Sequence, residues 1–350
     1  MKTLTPLPLS AALIAGLAAG PALAQFSITP YGSLRIQAEA VNVDDAQPGE
    51  DDDYIGLRDA YSRLGVTANY IMNDDLSFAA TVEMPVNSAR LKAEDPTFFQ
   101  GFYKDDNRPR VATIAASHAD FGSLTFGTQW LPYYNNVAYP VDFFSSFYSG
   151  YATYANFRRD ALTYVSPTVG GVTLTVAGVD TIHHQGTEYL DTMQYALSWA
   201  NDSFTAAIAY QDSVDDAADL IGISGSYVVG PWRFAAKVEQ FISEDSVQQG
   251  EDPVVFNLYA SYTHNQFTYK AMYAQGDDNT DEPSAFFIGE SIHLGVDYQH
   301  SDALKFFAEY FYEEYGYAIY TPNSRSFDPL AGFQNQTDGH ALAVGLRFDF

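Results

Sequence analysis

Apolar and polar residues alternate one for one along most of this chain, and they do so in segments of about ten residues, the length of a tilted membrane-crossing strand. Sixteen such segments lie near 28–41, 60–71, 75–85, 109–118, 122–129, 159–166, 171–179, 191–200, 203–212, 219–228, 231–241, 254–263, 266–275, 290–299, 303–313 and 340–350. In LSFAATVEM, Leu76, Phe78, Ala80, Val82 and Met84 share one face, and Ser77, Ala79, Thr81 and Glu83 share the other. In LKFFAEYFYE, Leu304, Phe306, Ala308, Tyr310 and Tyr312 oppose Lys305, Phe307, Glu309, Phe311 and Glu313. A period of two is a strand signal, so the chain is all-β.

Alternation alone fits a sandwich, with the apolar faces turned inward, as well as a barrel with them turned outward. Two features favour the barrel. The connectors alternate in length: NDD (73–75), DFG (120–122), SPTVGG (166–171), ND (201–202), GP (230–231), HN (264–265) and HSD (300–302) are tight turns. Between them lie longer segments at 42–59, 86–108, 130–158, 180–190, 213–218, 242–253, 276–289 and 314–339. Short turns at one end and long loops at the other are the sorting of outer-membrane barrels. In addition, Tyr70, Trp199, Tyr210, Tyr227, Trp232, Tyr262, Tyr298 and Tyr312 stand at the ends of the apolar faces. Rings with a polar tip suit a bilayer–water boundary. An even number of strands lets the last pair with the first, and closure is required because an open edge in lipid leaves backbone groups unpaired at several kcal/mol each. The expected fold is a transmembrane antiparallel 16-stranded β-barrel over 25–350.

The rest of the composition agrees. MKTLTPLPLSAALIAGLAAGPALA, residues 1–24, has one Lys, an apolar stretch and Ala22-Leu23-Ala24, which reads as a signal peptide with an A-x-A cleavage site rather than a membrane helix. The chain has no Cys, so no disulfide framework holds it. It carries 44 acidic against 17 basic residues, a formal net charge of −27, which would repel nucleic-acid phosphates. With 47% hydrophobic and 15% aromatic residues it has ample apolar surface for an ordered fold.

Several motifs resemble a known family. YGSLRI (31–36) is similar to the first strand of general diffusion porins of Gram-negative outer membranes, and SRLGV (62–66) to the second. DFGSLTFGTQ (120–129) is similar to the segment that enters their third surface loop, and RRDALTYVSPTVGGVTLTVAGV (158–179) to the strand–turn–strand that leaves it. The terminal Phe350 is like the C-terminal aromatic that the barrel-assembly machinery reads as its signal. A departure is Trp130 after Gln129, where many relatives have a polar residue. The resemblance implies short periplasmic turns, long surface loops, a third loop folded into the lumen, and a homotrimer in outer-membrane lipid and lipopolysaccharide. It implies passive diffusion of small hydrophilic solutes and ions, with no cofactor and no resident metal.

A barrel of this strand number encloses water, so the polar alternates face a lumen. Parity places Arg35 there with Ser33, Gln37 and Glu39, Arg63 with Gly65, Thr67 and Asn69, then Glu83, and Arg159 with Ala161 and Thr163. Arg158 has the opposite parity. Arg233, Lys237, Glu239, Lys270, Asp297, Lys305, Glu309, Glu313, Arg347 and Asp349 also have lumen parity and are mixed in sign. The resemblance makes Arg35, Arg63 and Arg159, with Glu83, the wall of a pore constriction. Opposite them it places Asp142, the one acid within 130–157. A bland alternative is that Arg35 and Arg63 merely pair with Glu39 or Glu83. The acid excess falls in DDAQPGEDDDY (44–54), SEDSVQQGED (243–252) and GDDNTDE (276–282), which predicts a mild cation preference.

Other readings are weaker. DDNTDE lacks the glycine and the spacing of a calcium loop, and His183-His184 has no further ligand beside it. The third loop carries Trp130, Tyr133, Tyr134, Tyr139, Phe143, Phe144, Phe147, Tyr148, Tyr151 and Tyr154. These rings either anchor the loop to the wall or form a stacking track for carbohydrate in a substrate-selective channel. No Gly-x-Ser-x-Gly occurs, and His293 is a lone titratable group on a lumen face, so an enzyme is not expected. An adhesin acting through its acidic loops is a further alternative.

Overall fold

The alternating segments form one sheet that closes on itself. The computed structural model describes residues 25–43, 53–91, 109–148, 153, 157–180, 190–213, 219–242, 254–276, 289–314, 319 and 338–350. Residues 1–24, most of each acidic run, His183-His184, Tyr151 and Tyr154 lie outside the described residues. The strands are β1 (Phe26–Val43), β2 (Asp53–Asp59), β3 (Arg63–Ile71), β4 (Leu76–Pro85), β5 (Val111–His118), β6 (Gly122–Trp130), β7 (Arg158–Val165), β8 (Val172–Asp180) and β9 (Thr192–Ala200). They continue with β10 (Phe204–Ser213), β11 (Asp219–Val229), β12 (Trp232–Ile242), β13 (Val254–His264), β14 (Phe267–Gly276), β15 (Gly289–Gln299), β16 (Leu304–Glu313) and β17 (Gly339–Asp349). Every pairing is antiparallel, and all join chain neighbours apart from β1 with β3 and the closing pair of β17 with β1.

Seventeen strands make sixteen staves. β3 pairs with Phe26–Ser33 of β1, and β2 pairs with Ile36–Asn42 of the same strand, so β2 and β3 are two halves of one stave. This corrects the expectation that 42–59 is entirely loop. DYIGLRD alternates as a strand, with Tyr54 and Arg58 on the lumen side. The DAYS stretch after it breaks the period. There Tyr61 adopts φ 68°, and Ser62 replaces the missing ladder, its backbone-side partners being the Arg35 N–H at 2.7 Å and the Arg35 carbonyl at 3.0 Å.

The faces are those of a barrel in lipid rather than a sandwich. Ile114 is 66% exposed and Ile223 58%, on the outer side. Lys237 and Glu309, on the inner side, are buried. Aromatic rings pair along the turn end, Trp232 with Tyr262 at 4.6 Å and Phe267 with Tyr298 at 5.1 Å between centroids.

The seam is hydrogen-bonded to its last residue. Phe350 N–H donates to the Gly32 carbonyl at 3.1 Å, and Gly32 N–H donates to the Phe350 carbonyl at 2.8 Å. The Phe350 ring lies across Gly32, where a Cβ would come within 2.4 Å of its Cζ. Glycine therefore provides the notch in which the terminal ring sits. Gly32→Val should cost ~1–3 kcal/mol by overpacking and lower the heat-resistant, fast-migrating barrel fraction on gels. A wild-type fraction in that variant would show that the notch is dispensable.

Candidate functional site

The segment between β6 and β7 runs inside the barrel. It begins as a wide helical turn over Tyr134–Ala138 and a tighter one over Tyr139–Val141. Its side chains then touch the inner wall strand by strand. Leu131 packs on Ala161, Ala177 and Val179 of β7 and β8. Tyr133 and Val137 pack on Ala196, Ala209 and Leu220 of β9 to β11. Val141 and Phe144 pack on Ala235, Tyr259 and Met272 of β12 to β14. Phe147 and Tyr148 reach Phe307 and Phe311 of β16, Ala341 and Ala343 of β17, and Val41 and Val43 of β1.

Small wall residues make this seat. A Cβ at Gly222 would come within 2.2 Å of the Tyr133 Oη, and one at Gly295 within 3.2 Å of Phe144. The signal was present in the sequence as Ala and Gly at lumen parity where polar residues would otherwise stand. The anchoring reading of the loop aromatics holds for Tyr133, Phe144, Phe147 and Tyr148, all buried, whereas Tyr139 is 54% exposed.

Polar contacts fix the far end of the loop. The Glu309 carboxylate accepts the N–H groups of Ser145 and Ser146 at 2.8 and 2.9 Å. It also pairs with Lys270 at 2.9 Å and lies 3.2 Å from His293 Nε2. His293 is thus not alone: the Phe144 ring stacks on it with centroids 3.5 Å apart. Gln37 accepts the Phe147 N–H at 2.8 Å, and Tyr148 donates to Glu39 at 2.9 Å. Tyr61, turned inward by its unusual φ, stacks on Phe147 at 5.4 Å and donates to its carbonyl.

The described loop residues pack on the wall from β7 round to β1, and none of their apolar clusters reaches the inner face of β3 to β5. A basic group runs from β17 and β1 across to the start of β5. Glu83 pairs with Arg110 at 3.0 Å and with Arg63 at 3.7 Å, and accepts from Tyr31 at 3.1 Å. Arg35 lies directly opposite Arg347 across the seam. Arg347 is held by Asp349 at 2.7 Å, while Arg35 donates to Ser33 at 2.9 Å and forms no ion pair with a described acid. The sequence reading missed Arg110, which stands just before β5, and Arg58, which pairs with Glu39 at 2.9 Å and lies 4.4 Å from the Phe147 ring.

The remaining charges fall into place by strand. Lys237 pairs with Glu239, both fully shielded, and Thr153 donates to Glu239. Asp297 bridges Lys270 and Lys305, each at 2.9 Å. Arg233 lies 5.0 Å from the Phe143 ring, and Glu313 accepts the Ile319 N–H. Arg159 donates to the Arg158 carbonyl at 3.0 Å and shares no described contact with Arg35 or Arg63. Arg158 lies over Trp130 at 5.1 Å and donates to the Arg110 carbonyl.

Asp142 is on the loop as expected. It accepts from Tyr134 at 2.8 Å and is in electrostatic reach of Arg35 and Lys270. Burial raises its carboxyl to about 6, against the opposing pull of the Tyr134 hydrogen bond and Arg35.

A closed sixteen-stave barrel with a charged inner wall, narrowed from within by its own third loop, defines a membrane channel. The Gram-negative porin family model matches residues 10–316, and the chain belongs to that family. Solved structures of the same fold include the anion-selective porin from Comamonas acidovorans, at 16% identity and TM-score 0.70, covering 93% of this chain and 100% of that one. OmpF of Salmonella typhi in complex with daunomycin aligns at 15% identity and TM-score 0.65, over 93% of this chain and 98% of that one. The trimer form of OmpT from Vibrio cholerae aligns at 17% identity and TM-score 0.61, over 93% of this chain and 99% of that one. At these identities the likeness is of fold alone. No curated protein sequence matches the chain.

Glu309→Ala should release the far end of the loop, since breaking one member of a buried ion pair costs ~3–5 kcal/mol. Single-channel recordings should show a larger and noisier conductance with the barrel intact. An unchanged, quiet channel would mean the aromatic contacts suffice.

Proposed function

We propose that the chain is an outer-membrane channel through which small hydrophilic solutes and ions diffuse passively, and not an enzyme. The observation that carries this is the basic group of Arg35, Arg63, Arg110 and Arg347 on the inner wall, with Arg35 in electrostatic reach of Asp142 on the infolded loop. Bases on one side and a carboxylate on the other set a transverse field that orders water at the narrowest point. An apolar solute must displace that water, while a polar solute exchanges with it. Residues 1–24 act as a signal for export through the periplasm, and Phe350 is the assembly signal.

Ion preference is set by two opposing layers. The belt around Arg35 is basic, whereas the chain as a whole has a net charge of −27. The mouth field reaches ~30 Å at 0.01 M salt but only ~3 Å at 1 M. Mild cation preference is therefore expected in dilute salt, shrinking towards neutrality or reversal as the belt takes over. Reversal potentials across KCl gradients check this, and an anion-selective sign in dilute salt would refute it.

The Asp142 carboxyl gains its charge as pH rises through about 6. Cation preference should therefore be greater at pH 7.5 than at pH 5, and Asp142→Asn should flatten that dependence. An unaltered pH profile in the variant would remove Asp142 from the selectivity filter.

Assembly as a homotrimer is supported by the outer surface. Among the described residues, no Tyr, Trp or Phe stands at the loop end of the outer face of β1 or β2. In their place Ile55, 87% exposed, and Leu57 stand beside Ala38 and Ala40. That face suits another copy better than a lipid–water boundary. A carbohydrate-selective channel remains the second reading, favoured by the exposed Tyr139 and its neighbour Phe143 at 6.3 Å. Saturable block of the current by an oligosaccharide at micromolar levels would establish it.

A further inference from the structure

We propose that the outer face of the barrel, at the loop end of β7 and β8, holds a divalent cation between Asp160 and Asp180. The register sets Thr128 of β6 opposite Asp160 of β7, and Asp160 opposite Asp180 of β8. Antiparallel partners present their side chains on the same face with Cβ atoms about 4.5–5.5 Å apart, and like charges so placed repel. Strand alternation puts this row on the outer side, because Ala161 and Val179, the next residues, face inward against Leu131.

Asp180 has no described exposure to solvent, and neither of its carboxylate oxygens has a hydrogen-bond partner. It carries a separate signal from the row itself. A buried carboxylate without donors is costly, and an Asp directly across from it adds to that cost. A hard cation removes both penalties at once. Asp160 is already oriented, since Thr128 donates its hydroxyl to Oδ1. Arg158, two residues along β7, is engaged with Trp130 and the Arg110 carbonyl.

The donor set is all oxygen: two carboxylates, with water for the remaining positions. That suits Ca²⁺ or Mg²⁺ and not a softer metal. No group of three or more His, Cys, Asp or Glu gathers there among the described residues, so the affinity belongs with weak extracellular sites, on the order of 10⁻⁴–10⁻³ M. The cation would tie the loop ends of β7 and β8 together, next to where the infolded loop leaves and rejoins the wall.

The test uses the full-length barrel in detergent, freed of divalent ions, with added Ca²⁺ as probe. Thermal unfolding should shift upward with millimolar Ca²⁺ in the wild type. Asp180→Asn and Asp160→Asn, both isosteric, should each lose most of that shift, whereas Asp202→Asn in a distant turn should keep it. Crystals soaked in Tb³⁺ should show an anomalous peak between the two carboxylates, at the roughly 2.3–2.6 Å typical of oxygen ligands to calcium. A shift of equal size in the Asp180 and Asp160 variants would overturn the proposal. So would Tb³⁺ peaks elsewhere on the molecule with none between these residues.

Discussion

Closure of the backbone ladder is the constraint on which the rest of the structure depends. Hydrocarbon offers no partner to a peptide N–H, so a sheet that spans it must return to its own first strand. Here β17 pairs with β1 from Ser33–Asp349 to Val43–Gly339, and Phe350 extends the ladder to the last residue of the chain. Once the sheet is closed, the two faces of every strand have fixed destinations. Apolar alternates meet lipid, and polar alternates meet whatever fills the lumen. The charged interior is a consequence of closure together with a period of two.

A lumen of this width could be an open hole, and the third loop prevents that. It is held by two kinds of contact acting together. Aromatic rings fill hollows made by Ala and Gly on the wall, and one buried carboxylate, Glu309, accepts two backbone N–H groups between Phe144 and Phe147. The burial excludes water from the Glu309 cluster, which strengthens its hydrogen bonds and ion pair. The loop in turn decides which part of the wall is functional. Lys237, Glu239, Lys270 and Glu309 lie under or against it and serve as structure. Arg35, Arg110 and Glu83 are largely shielded as well, and Arg63, a quarter exposed, is the most open of the basic group.

How much of this could be read in advance depends on the range of the interaction. Strands were legible because alternation is local. Each of the sixteen staves was anticipated, and the one error of extent, at DYIGLRD, came from a short period cut off by DAYS. Lumen parity was equally legible, so Arg35, Arg63, Glu83 and Glu309 were placed on the correct side. Their partners were not. Arg110 belongs to Glu83 through the pairing of β4 with the start of β5, and His293 belongs to Glu309 through the pairing of β15 with β16. Arg159 has the right parity, and its hydrogen bond to the Arg158 carbonyl is a local contact that parity does not give.

The sequence by itself determined the class of fold, the outward and inward faces, the seam at the terminal strand and the presence of an aromatic segment between β6 and β7. These follow from period, length and residue type, which are properties of each stretch alone. Only the tertiary structure decided which wall strands the third loop covers, and hence which charges face the passage. That choice rests on contacts between residues more than a hundred positions apart, such as Ser145 with Glu309 and Tyr148 with Glu39, whose geometry exists only after the barrel has closed.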